Sequence, residues 1–367
     1  MKLRQGLTFD DVLLVPRYSE VLTRNMPLDV DLGKGVKLSI PIVSANMKNV
    51  TGSEMALAMS GYGGMALLHR FASIDEQIRM FQEAFVPHYG KMIGCSVGVK
   101  DEDYGNADAL VGAGCSVLCV DVAHGDHILA ISMVESLAKS HPDVMLIAGN
   151  VATAGGARRL YNAGADVIKV GIGPGSLCTT RIETGNGVPQ ITALMDVFDE
   201  SCNVDEAELE QTKQWFVSHP TANIDTLMTM VGSLRNKDDR KFKIIADGGI
   251  RNGGDIAKAL CISDAVMLGS LLAGTNEAPG TIEVDATSGR KFKTYAGSST
   301  HKASRVEGVV RRVPCKGPVK HILTKLTEGV QSGLSYQGCK NLGELKEDYE
   351  FIQISGAGLA ESHPHTY

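Results

Sequence analysis

The chain has 367 residues, 43% hydrophobic and 5% aromatic, with a formal net charge of -6. That balance supports a large buried core, as one large domain or two ordinary ones, and excludes a disordered chain. With a sequence pI near 5.9 there is no basic field for wrapping nucleic acid, so a bound phosphate is expected on a small ligand held locally. The eight cysteines (Cys95, Cys115, Cys119, Cys178, Cys202, Cys261, Cys315 and Cys339) form no CxxC pair, and the start MKLRQGLTFDD has no apolar signal core. A reducing, cytoplasmic setting is therefore expected, and no apolar run approaches the length of a membrane span.

In chain order, eight short runs rich in Val, Ile and Leu read as strands: PIVSAN (41–46), GMALLH (64–69), MIGCSVG (92–98), SVLCVDV (116–122), VMLIAGN (144–150), DVIKVG (166–171), KIIADGG (243–249) and DAVMLGS (264–270). Their apolar character is continuous rather than alternating, as strands buried on both faces require. Helix-like segments such as SEMALAMSG, ILAISMVESLAKS and GDIAKAL lie between them. Eight β–α units predict a closed (β/α)8 barrel. Residues 1–367 then form one barrel domain with two departures. Residues 200–242 are far longer than an ordinary connection and read as an inserted helical excursion near the mouth, between strands six and seven. The last hundred or so residues carry a hairpin-like GRKFKTYAGSS and the tail ISGAGLAESHPHTY, neither of which reads as a separate domain.

The carboxyl ends of these runs are polar or glycine-rich, and in a parallel barrel they converge on the mouth where active sites are assembled. VGIGPGSLCTTR, after strand six, frees backbone N–H groups at Gly171, Gly173 and Gly175 and adds the Ser176 hydroxyl, a cradle for a phosphate. Any one of these glycines also serves simply to turn a strand into a helix. Cys178 sits in that donor-rich turn beside Arg181, surroundings that favour a thiolate nucleophile, whereas Cys95 and Cys119 lie in apolar runs and read as inert packing. Thr180 places a hydroxyl two residues from the thiol, for the chemistry or for turn hydrogen bonding. Asp121, ending strand four, could accept hydrogen bonds from a ribose or an amide; nearby His124 and His127 lack a partner carboxylate at metal-ligand spacing, so a cofactor-binding turn is preferred to a metal site.

These residues carry a resemblance that spans almost the whole chain. LTFDDVLLVP, IAGNVAT, KVGIGPGSLCTTRIETGNGVPQITA, IADGGIR, VMLGSLLAGT, VPCKGP and ISGAGLAESHPH are similar to signatures of the IMP dehydrogenase and GMP reductase family. The resemblance implies a (β/α)8 barrel, usually a homotetramer, that acts on purine nucleotide C2 through a covalent cysteine adduct with a nicotinamide cofactor. It assigns Cys178 to the adduct and Thr180 to the water or ammonia chemistry. Ser44, Met47, Ser176, Asp247, Gly248, Gly249, Gly269, Ser270, Tyr295 and Glu307 would bind the substrate, with Asp247 on the ribose hydroxyls and Glu307 at the base edge. Asp121, Asn150 and Gly171 would meet the cofactor. The carbonyls of Gly173, Gly175 and Cys178, with Glu361, Ser362 and His363 from a neighbouring subunit, resemble the family's potassium (K+) site.

Two branches share these features. Dehydrogenases commonly insert CBS modules after the second strand, whereas LLHRFASIDEQIRMFQEAFVPHYGK runs directly into strand three. They also carry a long flap with an Arg-Tyr pair that activates water, a kind of assistance worth roughly a hundredfold to ten-thousandfold. Here nine residues, SSTHKASRV, separate Gly297 from Glu307 and contain no such pair. The short flap points to GMP reductase, which needs no hydrolytic water and would use NADPH. His301 stands where reductases carry an acidic residue, and a histidine can move a proton near neutral pH. GNGVPQITA and the ESHPH tail resemble the dehydrogenase branch, which would use NAD; a nucleotide-binding regulator without turnover is the third possibility, opposed by the retained Cys178 and Thr180.

Overall fold

A computed structural model describes residues 3–87, 90–204, 210–212, 214–215, 218–219, 235–297 and 308–364. All eight predicted runs form strands: β1 (Ile42–Ser44), β2 (Met65–Leu68), β3 (Ile93–Val97), β4 (Val117–Asp121), β5 (Met145–Val151), β6 (Val167–Val170), β7 (Lys243–Asp247) and β8 (Ala265–Leu268). They pair in sequence order and close into a parallel barrel, β8 returning to β1 through Val266 opposite Ile42 and Leu268 opposite Ser44. The continuous apolar runs are explained by this closure: β2, β3 and β8 are buried along their whole length, one face in the barrel and the other under helices. Each fully buried Val, Ile or Leu contributes about 1.5–3 kcal/mol relative to exposure.

The covering helices are α1 (Ser53–Gly61), α2 (Ile74–Ala84), α3 (Asp101–Gly112), α4 (Ile128–Ser140), α5 (Ala154–Asn162), α6 (Gln190–Ser201), α7 (Gly253–Leu260) and α8 (Val319–Gln337). Several start on side-chain caps that take up orphan N–H groups: Ser73 accepts from Glu76, Thr153 from Gly156 and Asn252 from Asp255. His127 caps α4, its Nδ1 accepting from the Leu129 N–H at 3.2 Å, which commits that nitrogen to the helix rather than to a ligand.

The described roots of the long segment between strands six and seven lie at the end of the barrel opposite the mouth, not beside it as the sequence reading expected. In a (β/α)8 barrel, helices run back toward the amino ends of the strands, so an insertion between α6 and β7 leaves from that side. Its roots are antiparallel strands, Cys202–Val204 and Arg235–Arg240, pairing Cys202 with Arg240. Arg240 and Lys346 both bind Asp264 at the start of β8, the lysine at 2.8 Å, and the Ile244 N–H donates to the same carboxylate at 2.8 Å. Most of the expected helical part lies outside the described residues.

Between β8 and α8 the chain forms a ribbon of three antiparallel strands, Glu283–Val284, Lys291–Ala296 and Val310–Pro314. Its pairing runs up to Ala296 opposite Val310, and the Gly297 N–H donates to the Val309 carbonyl at 3.2 Å. Near the carboxyl terminus Phe351–Gln353 pairs antiparallel with Val12–Leu14, so the two ends of the chain meet.

Candidate active site

The strand ends open into a cavity of about 390 Å³, a size suited to a small molecule. It is lined by Met47, Asp121, Asn150, Gly171, Gly173, Gly175, Ser176, Cys178, Thr180, Asp247, Gly248 and Tyr295, all named from the sequence, together with Arg70, Phe71, Lys169 and Gly297. Ser44, Gly249, Gly269 and Ser270 are not among the lining residues. Ser44 is wholly buried in the barrel wall, where its hydroxyl accepts from Thr51 Oγ1 at 2.9 Å. Gly269 lies just behind the lining: a Cβ there would stand 2.9 Å from the Tyr295 hydroxyl. Gly249 abuts the Phe9 ring. Glu361, Ser362 and His363 sit exposed at the end of a short helix, Gly356–Glu361. His301 and Glu307 fall outside the described residues.

The loop after β6 presents the thiol. Of the eight cysteines Cys178 alone is exposed; six are buried and Cys315 is intermediate. Burial pushes the Cys119 thiol up to about 12, so it is inert at neutral pH. Cys178 Sγ donates to Thr180 Oγ1 at 3.1 Å, and the Cys178 N–H donates to the Gly175 carbonyl at 3.1 Å, closing a tight turn beneath the thiol. Arg181, read from the sequence as a cation beside the thiol, ties the loop together: its Nη2 donates to the Val188 carbonyl at 2.6 Å and its Nε to that of Ile172 at 3.3 Å. Two glycines are needed for contact with β7. Gly171 has φ +148 and a Cβ there would fall 2.0 Å from the Asp247 carbonyl; Gly248 has φ +94 and its Cβ would meet Pro174 at 2.9 Å.

Tyr295 reaches the cavity from the ribbon. Its hydroxyl donates to Met47 Sδ at 3.6 Å and faces the Ser176 side chain, and burial raises its pKa to about 12. Two hydroxyls and the Gly269 turn thus meet at one end of the cavity.

The sequence reading missed Lys169 as a centre of organisation. Its ammonium, in a side chain 2% exposed, binds Asp121 at 2.9 Å and Asp247 at 3.1 Å and also contacts Asn150 Oδ1. Asn150 Nδ2 donates to Asp247 at 2.9 Å and to the Gly171 carbonyl at 2.7 Å. One buried network therefore joins the ends of β4, β5, β6 and β7. Burial alone would lower the lysine pKa and raise that of Asp121; their mutual attraction outweighs it, so the lysine stays protonated and Asp121 ionised. The available signal was a lysine inside the otherwise apolar DVIKV strand, where an unpaired charge would be prohibitively costly.

The domain description "IMP dehydrogenase / GMP reductase domain" matches residues 6–208 and 221–365. Inosine-5'-monophosphate dehydrogenase of Bacillus subtilis is 32% identical over 505 aligned residues, covering 99% of this chain and 96% of the relative. The enzyme of that name from Nitrosopumilus maritimus is 31% identical, covering 100% and 99%. That of Borreliella burgdorferi is 33% identical, covering 99% and 97%. The 505 aligned positions exceed the 367 residues of this chain, so the Bacillus relative carries internal sequence with no counterpart here. With a barrel, an exposed mouth cysteine and near-complete coverage in agreement, the chain belongs to the IMP dehydrogenase / GMP reductase family of oxidoreductases.

Proposed function

We propose that the protein is a GMP reductase, converting GMP, NADPH and two protons to IMP, NADP and ammonium through a covalent adduct at Cys178. The observation that carries this reading is the closure of the ribbon. Pairing extends to Gly297 and Val309, and the Val309 N–H donates to the Leu177 carbonyl at 3.1 Å, beside the thiol. Only the stretch SSTHKASRVEG remains between those paired ends, and it holds no Arg-Tyr pair to activate a hydrolytic water.

In the proposed reaction the Cys178 thiolate bonds purine C2 and the exocyclic amine leaves as ammonia. Hydride delivery to C2 and cleavage of the C–S bond then give IMP and restore the thiolate. Thr180 Oγ1, in contact with the sulfur, is assigned to hold the thiol proton, and His301 to supply a proton to the leaving amine. Ser176, Tyr295, Gly248, Gly249, Gly269 and Ser270 are assigned to the phosphate end, Asp247 to the ribose and Glu307 to the base. Asp121, Asn150 and Gly171 are assigned to the nicotinamide cofactor, which when bound supplies the hydride. A carboxylate and an amide fixed by Lys169 at the cavity wall suit a ribose and a carboxamide. For potassium the donor chemistry also fits: Gly173, Gly175 and Cys178 offer neutral carbonyl oxygens on an irregular loop, and the adjacent Thr179 hydroxyl is buried without a partner among the described residues. Glu361, Ser362 and His363, exposed in the single chain, are assigned to a neighbour's ion site in a homotetramer.

A second reading, IMP dehydrogenase with NAD, is favoured by the names of the relatives. The test is to supply purified protein in potassium buffer with GMP and NADPH, or with IMP and NAD, and to follow reduced nicotinamide and ammonia. Consumption of NADPH with equal ammonia release supports the reductase. Formation of NADH from IMP, with no reaction of GMP, overturns it in favour of the dehydrogenase; binding without either turnover would leave the regulator.

A further inference from the structure

The ribbon that carries Tyr295 is anchored by a buried cation. Lys293 lies two residues before Tyr295, so both side chains fall on one face of the strand, and both are buried, at 5% and 4% exposure. Lys293 Nζ donates to three backbone carbonyls, Thr275 at 2.9 Å, Asn276 at 3.1 Å and Ala278 at 2.6 Å. An ammonium has three donors, and here each meets a peptide oxygen. No carboxylate pairs with it among the described residues. A buried charge with no counter-ion is costly, which makes solubility or ion pairing poor accounts of this lysine.

The gripped carbonyls belong to the segment that follows Gly269 and Ser270 at the end of β8. Thr275 also bridges to Gly317, and Lys316 Nζ donates to the Leu271 carbonyl at 3.0 Å, so the ribbon and the turn that follows it hold the 270–278 segment at several of its carbonyl oxygens. At the other end of the same face, the Tyr295 hydroxyl meets Met47, Ser176 and the Gly269 turn. Moving Lys293 would shift Tyr295 relative to that turn.

We propose that Lys293 is a positioning residue for the nucleotide: a tethered monovalent cation, set in a cup of three carbonyls, that fixes Tyr295 against Gly269 and Ser176. The assignment rests on the reading above that this cavity takes a purine nucleotide monophosphate. Lys293 itself is not among the residues lining the cavity.

The test measures GMP and IMP binding and steady-state kinetics for the wild type, Lys293→Met, Tyr295→Phe, the double variant and Lys293→Ala. Lys293→Met keeps the volume and removes the charge; its Kd and KM for the nucleotide rise about tenfold while kcat changes less, the size expected when one hydrogen bond is displaced. The double variant is no weaker than the worse single one, because both act through Tyr295. In Lys293→Ala, n-propylammonium, which replaces the missing Cγ to Nζ, restores affinity and neutral n-propanol does not. Additive effects, unchanged affinity in Lys293→Met, rescue by propanol as well, or a Lys293→Met protein that does not fold would each overturn the proposal. A wild type that binds neither nucleotide removes the substrate reading and this inference with it. A wild type that binds, with Lys293→Met binding equally well, removes this inference alone.

Discussion

Replacing Lys169 by Met tests how the mouth is held together. The ammonium stands 2.9 Å from Asp121 and 3.1 Å from Asp247, so at an effective dielectric constant of about 20 each pairing is worth about 5 kcal/mol in Coulomb terms. Dehydrating the buried groups offsets most of that, but removing one partner leaves the other charges uncompensated. The expected net loss is about 3–5 kcal/mol at neutral pH. Urea unfolding at several pH values is the assay, because the pH dependence identifies the cause. In the wild type Asp121 is held below its ordinary value, against burial, by Lys169. Its contribution is therefore complete above the unfolded value of about 3.9 and is lost as pH falls through the lowered folded value. In Lys169→Met the main opposition to burial is gone, Asn46 and Arg70 being the lesser remaining ones, and the folded pKa of Asp121 rises. The variant then loses stability as pH increases through that raised value. The gap between the two proteins should be widest near neutrality and shrink toward pH 4, at about the unfolded carboxylate value. A gap under about 0.5 kcal/mol at neutral pH, the scatter of an ordinary surface substitution, or one independent of pH, would refute the reasoning.

Other expectations follow from individual contacts. Cys178→Ala should still bind nucleotide but lose turnover by at least about a thousandfold, as loss of a nucleophile does; full activity in stopped assays would sink the covalent scheme. Gly171→Ala drives a methyl to 2.0 Å from the Asp247 carbonyl at φ +148, so thermal melting should show a loss of about 2 kcal/mol or more. His69 is buried and its pKa is lowered to about 4, first by burial and then by Lys48. Its neutral form gives stability that is complete above the unfolded value of about 6.5 and lost as pH falls through about 4, roughly 3 kcal/mol in all. A His69→Gln protein should lack that slope in pH-dependent unfolding. Asp264→Asn leaves Arg240 and Lys346 without their shared carboxylate, and chemical denaturation should register about 3 kcal/mol.

The barrel was legible because burial on both faces of a parallel strand writes a continuous apolar run, and all eight runs close in the expected order. Cys178 was legible too: a thiol in a glycine-rich turn is offered outward, while Cys119 inside a strand is not. What sequence could not supply is which neighbours meet across strands. Lys169 looked like a strand-end residue because its partners, Asp121 and Asp247, lie 48 and 78 residues away in sequence. Ser44 read as a mouth residue from its place near a strand end, yet its hydroxyl is taken by Thr51 inside the wall. For the 200–242 segment, length and polarity carry no direction; only its position between α6 and β7 fixes its roots, at the end of the barrel opposite the mouth. Lys293 gave no signal, since its three acceptors are backbone carbonyls that no side-chain pattern announces.

The fate of the hydride tests the central claim most directly. Protein incubated with GMP and NADPH carrying deuterium at the transferred position of the nicotinamide should yield IMP with one deuterium at purine C2, detected by mass spectrometry and NMR, and one ammonia per IMP. If GMP is returned unlabelled while IMP deuterated at C2 passes its label to NAD and yields XMP, the protein is a dehydrogenase and the reductase account is wrong.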